Sequence, residues 1–144
     1  MNTSKVNPMV VLNKVQTIER CVARSREDYA AAGQNFATNF PLQDSAVMNV
    51  LRACEAASDL AQHIISKEAL GVSQGVKDAF AMLHRHKIID AKLSASLQAM
   101  VGFRNVAVHD YQTLELDKVV YAITHGLNDL LAFGSLLLTR YKPF

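Results

Sequence analysis

The sequence predicts an all-α fold, a bundle of four main helices with a short brace helix, and three observations carry that expectation. Apolar residues recur at spacings of three, four and seven along most of the 144 residues, the period of a helix with one buried face. The breaks are few, at Gly33, at residues 71–75 and around residues 110–115. No stretch carries the alternation of a strand, and with half its residues apolar the chain has enough material for one core. One domain is therefore expected over residues 1–144, with an ordered bundle over about 8–140 and loose ends that include Lys142-Pro143-Phe144.

The first helix is expected from Pro8, a residue suited to a first turn, to about Ala32, with Val11, Val15, Ile18, Val22 and Tyr29 inward. Lys14, Arg20, Arg24 and Arg26 fall on its other side and read as a solvated face, with an RNA-contacting strip as the alternative. Gly33 ends it, and in the following loop Phe36 and Phe40 are both expected to fold back onto the bundle. A second long helix, residues 42–70, buries Val47, Val50, Leu51, Cys54, Ala57, Ala61, Ile64 and Ile65. A polar stripe of Arg52, Glu55, Asp59, Gln62 and Ser66 follows its other side. Most of that stripe reads as solvated; the alternative is that Glu55 or Asp59 reaches the site described below and orients it.

Residues 76–86 give the short brace, with Val76, Phe80 and Leu83 inward. Asp90 then caps a helix that buries Leu93, Leu97, Met100 and Val101. The last helix, residues 116–140, buries Val119, Val120, Ile123, Leu127, Leu130, Leu131, Leu137 and Leu138. Gly126 and Gly134 interrupt it and are expected to mark close contacts with neighbouring helices.

Several function classes are disfavoured. A formal net charge of +2 permits an RNA partner without naming one. Cys21 and Cys54 form no C-x-x-C pair and residues 1–6 lack a signal-peptide core, so reduced thiols and a cytoplasmic location are expected. The apolar run at residues 130–138 is far shorter than the roughly 20 residues that span a bilayer, so a soluble protein is expected. His84 and His86 would diverge on a helix, His63 and His125 have no partner at ligand spacing, and Glu55 and Asp59 lack the Glu-x-x-His companion of di-iron bundles. Neither metal nor cofactor is expected.

The chemistry-bearing stretch is Arg104-Asn105-Val106-Ala107-Val108-His109-Asp110-Tyr111. Arginine brings a permanent charge and a planar donor fork that matches phosphate, and histidine exchanges protons near neutrality, a combination suited to phosphodiester chemistry. On an ideal helix, five residues turn about 500 degrees and leave Arg104 and His109 about 140 degrees apart. Either the helix ends or unwinds between them, or each meets groups from a second subunit. The structural alternative is that Arg104 pairs with a carboxylate, His109 caps a helix C-terminus and Tyr111 anchors a loop.

Gly102-Phe103-Arg104-Asn105-Val106-Ala107-Val108-His109-Asp110-Tyr111 resembles the R-x4-H-x-Y motif of HepT-type members of the HEPN ribonuclease superfamily. Leu42-Gln43-Asp44-Ser45 and Arg52-Ala53-Cys54-Glu55-Ala56 resemble that family's second helix, and the similarity spans about residues 10–138, departing mainly at the ends. The resemblance implies a HEPN-type antiparallel bundle, a homodimer whose two motifs line one cleft, and the toxin of a type VII-like toxin–antitoxin pair. It implies a metal-independent endoribonuclease opposed by a minimal nucleotidyltransferase antitoxin, which silences it by transferring AMP to Tyr111. Within that reading His109 is the general acid and base, Arg104 stabilises the phosphate and Asn105 adds a supporting hydrogen bond. Two other classes remain open from the sequence: a HEPN module that binds RNA or nucleotide without cutting, and a helical scaffold for subunit interaction.

Overall fold

A computed structural model of the chain describes residues 5–142, so the tail expectation for Pro143 and Phe144 and most of the leader expectation lie outside the described residues. All regular elements among the described residues are helical. α1 (Pro8–Ala32) starts where the Asn7 side chain accepts the Met9 amide proton at 2.9 Å, with Pro8 in the first turn. It stops at Gly33, whose φ of 53° a side chain would resist. α2 (Phe40–Lys67) starts two residues earlier than expected, because Asn39 accepts from the Leu42 amide and Pro41 takes the first turn. The early start corrects one expectation: Phe36 is buried edge-on against Tyr29, whereas Phe40, now the first helical residue, points outward and is 62% exposed.

α1 and α2 fold back on each other along their lengths and make the most extensive helix pair of the bundle. α3 (Val76–Arg85) is the brace and packs on α4 (Ala91–His109) and α2. The Asp90 side chain accepts the Leu93 amide proton at 2.7 Å, and buried Ser94 donates to the Phe80 carbonyl at 3.0 Å, which fixes α4 against α3. The core runs through Ile18, Leu60, Ile64, Phe80, Leu83, Leu97, Leu130 and Phe133, each fully buried and each contributing about 1.5–3 kcal/mol of transfer free energy.

The last helical stretch covers the expected residues 116–140 without a break but is not regular throughout. α5 (Leu116–Tyr121) passes through a wide π-turn, Ala122–Gly126, into α6 (Leu127–Arg140). The turn lies against α4, where a Cβ on Gly126 would overlap the Met100 sulfur; one on Gly134 would lie 3.1 Å from Val15 Cγ1. Both glycines thus mark helix contacts, as their sequence context predicts. His63 and His125 are held as structural histidines: His63 Nε2 accepts the Asn7 amide proton at 3.1 Å, and His125 stacks on Tyr121 at 4.5 Å. Burial, then Lys67, holds the His63 pKa below its ordinary value. Among the described residues no helix is long and apolar enough to cross a membrane.

Candidate active site

α4 carries the motif, and its three outward aspects face three different hollows. Phe103 and Val106 line the largest, about 600 Å³, against the π-turn and Tyr121. Ala107 and Val108 line one of about 460 Å³ that also takes Tyr111 and, from α2, Asp44, Met48 and Leu51. Arg104 and Asn105 line the smallest, about 90 Å³, with Cys54 and Glu55 of α2. The polar chemistry sits in this smallest hollow and at the end of the helix, while the largest is mostly apolar.

Arg104 leans on α2. Its Nη2 lies 3.6 Å from Glu55 Oε2 and its Nη1 donates to Asn105 Oδ1 at 3.3 Å, with a third of the side chain in solvent. An ion pair this exposed contributes at most about 1 kcal/mol, so a phosphate can compete for the guanidinium. Asp59 does not share the task. One turn further along α2 it faces α1 and holds Lys14 Nζ at 3.0 Å, so of the two predicted carboxylates only Glu55 meets Arg104. Beneath them Cys54 is buried, and desolvation, then the Glu55 charge, push its thiol up to about 12 against a smaller pull from Arg104. A thiol so held stays protonated and is no nucleophile.

His109 is the last residue of α4 and is exposed. The helix is unbroken from Ala91 to His109, so of the two geometries the sequence allows, a helix that ends between Arg104 and His109 is ruled out. No hydrogen bond or ion pair joins the two among the described residues; they project from one rigid rod about 140 degrees apart. Asp110 breaks the helix with φ −153° while its N–H still donates to the Val106 carbonyl at 2.8 Å. A single 3₁₀ turn, Tyr111–Thr113, follows.

Tyr111 has a partner that sequence spacing does not reveal. Its hydroxyl donates to Asp44 Oδ1 at 2.6 Å, across 67 positions of sequence, and the ring remains 42% exposed. Burial first, then Asp44 through hydrogen bond and charge, push the phenol up to about 12, so the hydroxyl is protonated at neutral pH. Asp44 stands in a segment whose pattern draws attention, Leu42-Gln43-Asp44-Ser45, yet only the fold shows what it touches. No group of three or more His, Cys, Asp or Glu is placed to hold a metal ion among the described residues.

A family model described as ribonuclease HepT-like matches residues 15–136. The chain is 44% identical over 124 residues to an mRNA nuclease HepT of Shewanella oneidensis, covering 86% of this chain and 92% of that protein. It is 23% identical over 124 residues to a tRNA nuclease HepT of Aphanizomenon flos-aquae, covering 86% and 84%. Among solved structures it resembles a tri-AMPylated Shewanella oneidensis HEPN toxin in complex with MNT antitoxin, with TM-score 0.85 and 40% identity over 96% of this chain and 99% of that one. A toxin–antitoxin crystal structure with AMP-PNP gives TM-score 0.85 and 41% identity over 90% and 98%.

Proposed function

The chain belongs to the ribonuclease HepT-like family, and on that premise we propose that it is the endoribonuclease toxin of a toxin–antitoxin pair, cutting RNA without a metal through Arg104 and His109. The observation that carries the reading is the form of the motif helix: Arg104 is steadied by Glu55 and Asn105 with its outer part in solvent, and exposed His109 ends the same rod. RNA supplies the nucleophile. Its 2′-hydroxyl attacks the adjacent phosphorus, loses its proton to a base and expels the 5′-oxygen, which takes a proton, leaving a 2′,3′-cyclic phosphate and a 5′-hydroxyl. His109 moves the protons, and the Arg104 guanidinium neutralises the crowded phosphate. Since the helix does not unwind between them, a homodimer that opposes two motifs across a two-fold axis is the arrangement that brings an arginine and a histidine to one phosphate.

The partner is a minimal nucleotidyltransferase antitoxin, and Tyr111 is the acceptor of AMP. The phenolic oxygen bonds to the α-phosphorus of ATP, pyrophosphate leaves, and the hydroxyl proton is released. Partial exposure of the ring and the hold of Asp44 on its hydroxyl support that role. Residues 1–144 act as one domain in the cytoplasm. His109→Ala tests the reading: it is expected to abolish RNA decay while helix content stays the same. An RNA-binding module would show no cleavage in either protein and still shift RNA on a gel, and a scaffold would do neither.

A further inference from the structure

We propose that the groove between α1 and α2 lined by Arg20, Arg24 and Arg52 is a second RNA subsite, taking the sugar–phosphate backbone of the strand as it leaves Arg104 and His109; this rests on the ribonuclease reading. The fold sorts the basic residues of α1 into committed and uncommitted. Lys14 is held by Asp59 and Arg26 by the Asn128 side-chain oxygen. Arg24 reaches Asp28 only at 3.7 Å, and the same carboxylate accepts the Ser45 hydroxyl. Arg20 and Arg52 have neither an ion pair nor a side-chain hydrogen bond among the described residues.

These three arginines and a single carboxylate, Glu27, line one hollow of about 570 Å³. With Glu27 in the lining and Asp28 beside Arg24, the three guanidinium groups still leave the groove net positive, a surface that favours a polyanion. The groove is continuous with the motif. Met48, half exposed, lines both this groove and the hollow that holds Tyr111, and Arg52 stands one turn from both Met48 and Glu55, the partner of Arg104. A strand leaving Arg104 therefore crosses a single helix, roughly 10 Å wide, to reach the arginines. The Met48 side chain offers an apolar shelf on that path. An RNA strand fits better than an acidic protein segment because the groove adjoins, along α2, the motif proposed to cut RNA. Tyr111 sits at the junction, so a negatively charged group added there closes the path.

The test uses the full chain carrying His109→Ala, so that bound RNA is not cut, and a single-stranded RNA oligonucleotide titrated at several salt concentrations. The slope of log affinity against log salt is expected to shrink by about 0.7 for each arginine contact removed, hence by about 1.4 in Arg20→Gln/Arg52→Gln. The paired lysine substitution should keep the slope. With His109 restored, the glutamine variant should show a raised KM for the oligonucleotide at unchanged kcat, and unchanged cleavage of a dinucleotide too short to reach the groove. Equal slopes and equal KM overturn the subsite while leaving the ribonuclease reading intact. A changed slope together with no cleavage of any RNA by the chain with His109 restored overturns the ribonuclease reading, and with it the subsite's place on a cleavage path, and leaves an RNA-binding groove. Loss of nucleotidyltransferase binding with an unchanged RNA slope assigns the groove to a protein partner and overturns the proposal.

Discussion

Arg104 touches two acceptors of different character, a carboxylate at 3.6 Å and a neutral amide at 3.3 Å, and neither saturates its five donors. A planar fork with free donors can take two phosphate oxygens at once, which an ammonium cannot. Arg104→Lys is therefore expected to retain fold and charge but lose at least about tenfold in kcat/KM, the equivalent of about 1.4 kcal/mol of transition-state stabilisation. Initial rates on one RNA substrate check this, and near-normal cleavage would make Arg104 a structural ion-pair residue. At this scale the sequence told unequal amounts. Arg104 and His109 stand out as candidates by residue type and spacing, and Asn105 only through the family resemblance. Glu55 and Asp59 are indistinguishable in a stripe, because the facing helix decides that one meets Arg104 and the other Lys14. Asp44 was illegible as a partner of Tyr111 since nothing local ties residues so distant in sequence.

Helices were read more easily than their irregularities. Periodicity, the Asp90 cap, the Gly33 stop and the close contacts at Gly126 and Gly134 all follow from local chemistry. The π-turn at Ala122–Gly126 leaves no such local mark, and it lies where Gly126 meets the Met100 side chain of α4. Phe40 lies outward and not on the bundle because a cap at Asn39 puts it on the first turn of α2. Gly126→Ala tests the contact between the π-turn and α4. The methyl adds up to about 1 kcal/mol of helix propensity but must displace the buried Met100 sulfur, at a cost of about 1–3 kcal/mol. A net loss of stability is expected in chemical denaturation, and an equal or higher midpoint would show that the contact at Gly126 yields freely.

For the whole molecule, the motif helix is a rigid rod packed on α2, α3 and α6, with Tyr111 pinned beyond its end to the start of α2. Regulation at Tyr111 is therefore expected to act by charge and bulk at the rim of the site and to leave the bundle folded. An AMP phosphodiester there places a negative charge beside Asp44 and on the path toward the arginine groove. Tyr111→Phe keeps the ring and removes the acceptor oxygen. After incubation with the nucleotidyltransferase and ATP, the wild-type chain should gain AMP mass and lose RNA cleavage, while Tyr111→Phe should gain none and keep cutting. Equal mass gain in both would move the modification elsewhere. The all-helical architecture was legible from the sequence, whereas the pairing of subunits was open to it only through resemblance, because a two-fold contact leaves no periodic mark of its own.

Arg104 and His109 are proposed to cut RNA with the 2′-hydroxyl as nucleophile and no metal ion. The direct measurement is cleavage of a defined RNA by the purified chain in excess EDTA, with the new ends identified by mass. Undiminished cleavage giving a 2′,3′-cyclic phosphate, or its hydrolysis product, beside a 5′-hydroxyl is the result predicted. Complete inhibition by EDTA that a divalent cation reverses, or a 5′-phosphate at the new end, would contradict it.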